Sequence, residues 1–336
     1  MQSPPGKDAA ADQAQDSTRV FVPVQPQIER VRRLMRRQLG FGGASAEVTE
    51  LVNSFDCTGG KMLRAALLLL VGRACGRITT SHIRAAAAIE LIHGATLLHD
   101  DVIDGGQKRR GKPTINALWG NESAVLLGDL LLSAAFGLCA GLGSGPLAVI
   151  SSAATRMCRG EIRQLLHRKD HHLTERQYIE IIADKSASLF ECCCRLAAEL
   201  SHARQSSIDK FGRFGHNLGI AFQITDDLLD IVGNESRTGK TLGTDVHGNK
   251  PTLAVIHLLD KSPPAERAVV DAAISSAGAN RSVLTGLLQR YGSLEYARLR
   301  AQNYAAQAAA TISDLSEGAV KEALLEAAHF AANRVQ

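Results

Sequence analysis

Apolar residues recur at intervals of three and four along most of the chain, the spacing of helices that bury one face. The pattern begins near residue 26 and is interrupted by Gly- and Pro-containing stretches at 40–43, 143–146 and 262–267. Period-two alternation and solenoid repeats are both absent from the sequence, so we expect helices rather than sheets. The predicted helices are residues 26–39, 45–54, 60–75, 80–104, 114–120, 121–140, 145–168, 174–199, 205–232, 250–260, 264–277, 281–290, 293–313 and 317–335.

Three of these segments are apolar on more than one face: AAAAIELIHGATLL (85–98), AVLLGDLLLSAAFGLCAGL (124–142) and LGIAFQITDDLLDIV (218–232). A helix that is apolar all round belongs inside a bundle. We therefore predict an all-α, single-domain bundle over residues 26–336. Residues 1–25 are expected to be a disordered tail, because 1–19 are polar and Pro23 disfavours a strand in VFVPV.

Composition narrows the class of protein. The chain has 336 residues, 45% of them hydrophobic, and 38 Lys and Arg against 34 Asp and Glu, a net charge of +4 that argues against nucleic-acid binding. Seven cysteines form no CxxC pair, and no secretory signal is recognisable. We expect reduced thiols and a cytoplasmic protein. No run of 18 apolar residues occurs, so we expect no membrane-spanning helix.

Two aspartate-rich motifs of the form DDxxD each end an apolar segment, one in LIHGATLLHDDVID and one in FQITDDLLD. On a helix, positions i and i+4 share a face and i+1 lies about 100° around, so each motif lines one helix edge with carboxylates. Unpaired carboxylates at an apolar boundary are costly, so cations must accompany them. The six carboxylates are Asp100, Asp101, Asp104, Asp226, Asp227 and Asp230.

Carboxylate oxygens without thiolates or paired imidazoles suit Mg²⁺, which is commonly completed by substrate phosphates. Two acidic rims beside an apolar interior therefore suggest a diphosphate held through Mg²⁺, with its hydrocarbon part in a cavity. Basic side chains that could meet the phosphates follow the same apolar segments, although each taken singly is typical of a solvated surface. They are Lys61, Arg64, Arg109, Arg110, Lys185, Lys240 and Lys250.

At these residues the chain resembles the trans-polyprenyl diphosphate synthases over about residues 26–336. The similar segments are GGKMLR, where the family has GGKRxRP, then HGATLLHDDVID, RRGKPT, GEIRQ, KSASLF in place of KTAxLF, FQITDDLLD and GKTLGTDVHGNKPT. LEYARLRAQNYAAQA resembles the octaprenyl and solanesyl branch. Met62 replaces an arginine of the family pattern, and Ser186 replaces a threonine but keeps the hydroxyl.

The resemblance implies an isoprenoid synthase bundle with a central apolar cavity, a homodimer, and Mg²⁺-dependent head-to-tail condensation of isopentenyl diphosphate onto an allylic diphosphate. The six aspartates would carry or orient Mg²⁺, and Asp100, Asp101, Asp104, Lys185, Gln223, Asp226 and Lys240 would form the catalytic set. Arg109, Lys185, Lys240 and Lys250 would contact the allylic diphosphate. Lys61, Arg64, His93 and Arg110 would bind isopentenyl diphosphate.

Product length should depend on side chains below the first motif, namely Ala95, Thr96 and, further down, Leu91. Relatives with short products carry a bulky residue at the position of Ala95, so the resemblance implies a long product, octaprenyl to decaprenyl, of the kind used for quinone side chains. Such a product would allow transient membrane contact. A geranylgeranyl-type synthase, a terpene cyclase and a non-catalytic partner subunit are the alternatives. The paired DDxxD motifs and the residues for a second diphosphate argue against the cyclase, and the completeness of both acidic motifs argues against the partner subunit.

Overall fold

A computed structural model describes residues 20–40, 45–56, 60–168, 170–232, 250–275 and 281–333. The expected all-α bundle is confirmed in these residues. The helices are α1 Gln25–Leu39, α2 Ala46–Ser54, α3 Leu63–Ala74, α4 Thr80–Ile103, α5 Ile115–Trp119, α6 Asn121–Ala140, α7 Ser144–Leu166, α8 Glu175–Ile182, α9 Ser188–Leu200, α10 Gln205–Val232, α11 Leu253–Lys261, α12 Arg267–Ser275, α13 Arg281–Arg290, α14 Ser293–Thr311 and α15 Ala319–Asn333.

The main core is built by the helices that the sequence marks as apolar all round. Helix α4 packs extensively against α6, and α9 packs against both α4 and α10. Leu67 to Leu70 of α3 are fully buried in the same core, as is the run of alanines at 85–88 in α4. A second core lies around the C-terminal half of α10 and joins α8, α11 and α14. The two long helices that carry the acidic motifs are therefore held by a shared neighbour, α9.

Residues 20–25 differ from the predicted disordered tail. Val22–Val24 form a 3-10 turn that runs into α1, and Val20 and Val24 are buried in the main core. Pro23 is accommodated because a proline at the first turn of a helix lacks only an N–H that would have no partner there. Residues 1–19 of the predicted tail lie outside the described residues.

A short hairpin interrupts the predicted all-helical order after the first acidic motif. Strands β1 Lys108–Arg109 and β2 Lys112–Pro113 pair antiparallel, with Arg109 opposite Lys112. The two loop residues, Arg110 and Gly111, both have positive φ, 52° and 76°, as a type I′ turn requires. The hairpin folds the chain back so that Arg109 approaches the end of α4 and Arg110 approaches Gly60.

Helix α6 is long and apolar enough, by length and composition, to cross a membrane, and it alone passes that test among the described residues. The helix contains no uninterrupted run of 18 apolar residues, because Asp129 and Ser133 lie within it. Close to half of the stretch is buried inside the bundle, chiefly against α4. Core helices of soluble proteins pass the same test, so the finding is weak evidence for a span.

Candidate active site

The two acidic motifs lie at the C-terminal ends of α4 and α10. The C-terminal end of a helix carries the negative pole of its dipole, so aspartates at this position are disfavoured unless cations compensate them. Helix α4 has the first motif within its last turn, and α10 has the second within its last two turns. The compensating cations come from elements distant in sequence.

Arg109 of the hairpin neutralises the middle aspartate of the first motif. Its Nε donates to both oxygens of Asp101 at 3.0 Å, and one terminal nitrogen donates to Oδ1 at 2.8 Å. Burial alone would lower the pKa of Arg109, but the hydrogen bond and charge of Asp101 raise it overall, with further contributions from Asp100 and Asp226. Arg109 therefore lies within electrostatic reach of both motifs.

The last aspartate of the first motif is bound by two cations from other parts of the fold. Lys250 Nζ donates to Asp104 Oδ2 at 2.9 Å, and Arg168 donates to Oδ1 at 2.5 Å. Burial raises the pKa of Asp104, yet Lys250, Lys185 and Arg168 lower it overall. Asp104 is thus held ionised.

Asp100 behaves differently from its neighbours. Burial raises its pKa to about 6; Lys185 counters this, while Glu161 and Asp104 add to it. A carboxylate whose pKa is raised in this way has insufficient positive charge around it. Such a group is suited to a divalent cation, which would supply the missing charge.

The second motif contains a hydrogen-bonded chain that runs from α8 to α10. Tyr178 donates to Asp227 Oδ2 at 2.6 Å, and Gln223 donates to Oδ1 at 2.7 Å. Ser186 in turn donates to Gln223 Oε1 at 2.5 Å. Asp227 is buried, and its two oxygens are thus directed at neighbouring side chains. The charge of Asp226 opposes the lowering of the Arg64 pKa by burial and contributes to the raised pKa of Arg109, so it acts on both basic groups.

Lys185 projects from a π-helical turn, Ala183–Ala187, that joins α8 to α9. The turn fits between two glycines. A Cβ on Gly160 would lie 2.7 Å from Lys185 Cα, and a Cβ on Gly219 would lie 2.5 Å from Ala187 Cα. The Lys185 ammonium group pairs with Glu161 and donates to Gln164 Oε1 at 2.5 Å. A π turn inside an α-helix is often found at functional sites.

A separate basic group forms around Glu90, one turn before His93 on α4. Glu90 is buried and accepts from the Ala65 N–H at 2.8 Å. Burial raises the pKa of Glu90, while Arg64, Arg110 and Arg32 oppose the shift. Burial likewise lowers the pKa of Arg64, whose guanidinium lies 4.5 Å from the Phe190 ring centroid.

Arg110 and Lys61, which both lie beside Gly60, complete this basic group. The Arg110 guanidinium lies so close to Gly60 that a Cβ there would be 2.9 Å from it. Lys61 follows directly, with its ammonium 4.6 Å from the centroid of Phe330 on α15. Met62, at the position where the resemblance expects arginine, has a left-handed backbone with φ of 55° and a buried side chain. The structure thus brings Lys61, Arg64 and Arg110 to one region.

A half-buried stripe runs along the last turns of helix α4. It comprises His93, Thr96, Leu97 and Asp100, at the spacing of one helix face. Thr96 donates its hydroxyl to the His93 carbonyl at 2.8 Å. Ala95 and Leu91, the other predicted chain-length residues, are fully buried. Of the three predicted chain-length positions, only Thr96 shares the partly open face with Asp100.

The structure adds residues that the sequence analysis did not assign. Glu161 and Gln164 hold Lys185, Arg168 binds Asp104, Tyr178 binds Asp227, and Glu90 lies among the arginines. The quoted GEIRQ segment was a signal for the first two, since Glu161 and Gln164 are spaced i, i+3 on one helix face. Lys240 lies outside the described residues.

Within the described part of the chain, no three acidic, histidine or cysteine groups converge closely enough to hold a metal ion by themselves. Carboxylates are nevertheless directed to one region with cationic side chains on both sides. This arrangement suits a polyanion, such as a diphosphate, that supplies the remaining ligands of a divalent cation. A hydrocarbon attached to that diphosphate would meet the apolar helices α4, α9 and α10.

Comparisons with known proteins support this chemistry. A family model described as polyprenyl synthetase matches residues 45–290. Octaprenyl diphosphate synthase of Escherichia coli (strain K12) is 35% identical over 325 residues, covering 91% of this chain and 99% of that protein.

Solved structures agree with the sequence comparison. A polyprenyl synthase from Caulobacter crescentus CB15, complexed with calcium and isoprenyl diphosphate, superposes with a TM-score of 0.89 at 32% identity, covering 95% of this chain and 98% of that one. A decaprenyl diphosphate synthase from Rhodobacter capsulatus gives 0.87 at 31%, covering 95% and 99%. The predicted family is confirmed: the chain belongs to the polyprenyl synthetase family, whose members are prenyltransferases.

Proposed function

We propose that the protein condenses isopentenyl diphosphate repeatedly onto an allylic diphosphate and makes a long product, octaprenyl to decaprenyl. The observation that carries the proposal is the position of Arg109, which bonds Asp101 and lies within electrostatic reach of Asp226. A shared cation between two acidic motifs defines one site for one polyanion. Relatives named octaprenyl and decaprenyl diphosphate synthases support the chain length.

The residues of the first motif fit Mg²⁺ in unequal ways. Asp100, with a pKa of about 6, lacks compensating charge, whereas both oxygens of Asp101 accept from Arg109. We predicted that all six aspartates carry or orient Mg²⁺. Asp101, Asp104 and Asp227 each accept from protein donors on both oxygens. We assign the orienting part to Asp101 and Asp227, and we retain Asp104 with Asp100, Asp226 and Asp230 as candidate ligands because Lys250 would move from Asp104 to the diphosphate.

When bound, Mg²⁺ would neutralise the charge that develops on the departing diphosphate. The protein's own residues would act around it. Arg109 and Lys185 would donate hydrogen bonds to the diphosphate oxygens. Lys250, which donates to Asp104 in the structure, would move to donate to the diphosphate as well. The apolar side chains of α4 and α9 would exclude water from the allylic cation.

The second substrate would be bound by the basic group around Glu90. Arg64, Arg110 and Lys61 are brought together there, and the guanidinium of Arg110 lies against Gly60. Two cationic regions, one with Arg64 and one with Arg109, both experience the charge of Asp226, which supports two diphosphates at one site, one leaving and one retained. Released diphosphate would accept the proton that is lost in condensation.

Turnover by the purified chain tests the proposal. The protein is incubated alone with isopentenyl diphosphate, farnesyl diphosphate and Mg²⁺, and the products are separated by chromatography. We expect products of eight to ten isoprene units. A twenty-carbon product would favour the geranylgeranyl-type alternative, and no turnover until another subunit is added would favour the partner-subunit alternative.

We further propose a cytoplasmic homodimer that meets the membrane transiently through its product. The outward face of α6 supports a self-association surface, because Val125, Leu126 and Phe136 are 39%, 66% and 55% exposed on one helix. Light scattering of the wild-type protein and of Leu126→Glu tests this. We expect a dimer that the substitution weakens, and a wild-type monomer would contradict the proposal.

A further inference from the structure

An open groove of about 420 Å³ lies between α1 and the start of α4, far from the acidic motifs. Its polar lining is almost entirely cationic, and Leu34 and Ile83 form its apolar floor. The remaining lining residues are Arg30, Arg33, Arg37, Thr80 and Arg84. A groove with four arginines and two aliphatic side chains is suited to a ligand that is both anionic and amphiphilic.

The charge of the groove comes from the pattern of α1. This helix contains five arginines and one glutamate, a local charge of +4, equal to the net charge of the whole chain. Arg30, Arg33 and Arg37 are spaced i, i+3 and i+7, so they share the outward face. The opposite face is anchored in the core by Ile28, Val31, Met35 and Leu39.

The acidic side chains near the groove do not neutralise it. Arg32 pairs with Glu29 at 2.7 Å. Among the ion pairs of the described residues, none includes Arg30, Arg33, Arg37 or Arg84, all of which are exposed. Four solvated guanidinium groups that lie side by side repel one another, which favours binding of an anionic partner.

The groove lies at the opposite end of α4 from the reaction. Thr80 is in the first turn of this helix and Asp100 is in its last, and at 1.5 Å per residue the separation is about 30 Å. A hydrocarbon that grows from Asp100 past Thr96 and along α4 would reach the groove after about six helical turns. This relation rests on the proposed function, because only a long product spans that distance.

We propose that the groove is a docking surface for the headgroups of anionic phospholipids. Guanidinium groups bind phosphate oxygens in a fork, and a row of them on a helix is attracted to an anionic membrane surface. Leu34 and Ile83 would contact the glycerol and upper acyl region between the headgroups. Docking in this orientation turns the far end of α4 toward the bilayer, which is where a long polyprenyl chain has to go.

Vesicle sedimentation tests the proposal without substrate. The full chain is mixed with vesicles of phosphatidylcholine alone or with added phosphatidylglycerol. We expect binding only to the anionic vesicles, weakened by salt. Arg33→Gln with Arg37→Gln should bind about 30-fold more weakly, from the typical contribution of two arginines at an anionic surface. Glutamine keeps the helix propensity of arginine.

A matched control removes two arginines elsewhere. Arg204 and Arg213 are exposed and belong to no ion pair among the described residues. Arg204→Gln with Arg213→Gln should bind anionic vesicles like the wild type. An equal loss of vesicle binding in the two double variants would show that the attraction is not specific to the groove and would overturn the proposal. Absence of binding by the wild type would also overturn it. Saturable binding of inorganic phosphate or RNA in the groove, without vesicle binding, would overturn it as well.

The experiment separates the docking surface from the enzyme activity. Both double variants should retain wild-type turnover in detergent, since Arg33 and Arg37 are remote from the active site. Groove-dependent vesicle binding by a protein that makes only short products would keep the docking surface and refute the long-chain proposal. Long products made by a protein whose vesicle binding does not depend on the groove would keep the long-chain proposal and refute the docking surface.

Discussion

Gly160 of α7 and Lys185 of the π-helical turn approach so closely that a Cβ on the glycine would lie 2.7 Å from Lys185 Cα. The π-helical turn therefore packs directly against the backbone of α7. Glu161 and Gln164, on the same helix, hold the lysine's ammonium group. Position and direction of Lys185 are thus both set by α7.

Gly160→Ala should displace the π turn, because the contact is with backbone that cannot rotate away. We expect a loss of about 1–3 kcal/mol in the free energy of unfolding, typical of overpacking, and at least a tenfold fall in kcat/KM for the allylic substrate. Gly145→Ala is the matched control, since a Cβ there meets nothing within 4 Å on the same helix. Equal behaviour of the two variants would refute the role of the close approach.

Asp101→Asn tests whether this aspartate orients Arg109 or binds metal. Loss of a charge-assisted pair that involves a buried carboxylate should raise the KM for the allylic diphosphate by about 10- to 100-fold, with the Mg²⁺ requirement little changed. Arg109→Lys should act similarly, because lysine keeps the charge and loses the fork. A weakened Mg²⁺ affinity equal to that of Asp100→Asn would instead make Asp101 a metal ligand.

Metal binding should depend on pH through Asp100. Burial raises its pKa to about 6, so below pH 6 the protonated form prevails and the carboxylate needed for a metal is lost. With substrate present, Mg²⁺ affinity should be nearly constant above pH 7 and fall about tenfold between pH 7 and pH 5. Calorimetric titration of Mg²⁺ at several pH values measures this. An affinity that is constant from pH 5 to pH 7 would contradict it.

Ala95→Phe should shorten the product. Ala95 is fully buried on α4, so an aromatic ring has to enter the space around the helix one turn below Asp100. Chromatography of the reaction products should show a shift to fewer isoprene units, while Thr96→Ser leaves the distribution unchanged. If Ala95→Phe folds and yields the parent product, the first constriction lies elsewhere, and Thr96→Phe is the next variant because Thr96 shares the face of Asp100.

The helices could be predicted from sequence because their cause is local. Helix α6, for example, begins and ends at the predicted residues 121 and 140, since apolar spacing and the glycines at both ends determine it. The structure departs from the prediction where strain or tertiary contact decides. The π turn at 183–187 depends on Gly160 and Gly219, and both are distant from it in sequence.

The candidate site could be predicted in part, because the spacing of its aspartates is also a local feature of the sequence. Asp100 and Asp226 were visible as repeats of one motif, but their different partners were not. Arg168 bonds Asp104 across 64 positions, and Tyr178 bonds Asp227 across 49. Spacing along one helix predicts which carboxylates share a face, whereas the cation that reaches each of them depends on how separate helices pack.

A crystal structure with Mg²⁺ and an unreactive allylic diphosphate analogue tests the central claim most directly. We expect one diphosphate bridged by Mg²⁺ to Asp100 and Asp104 on one side and to Asp226 on the other, with Arg109 and Lys185 on its oxygens and the hydrocarbon running along α4. A diphosphate bound by only one of the two motifs, or a hydrocarbon lying outside the bundle, would contradict the account.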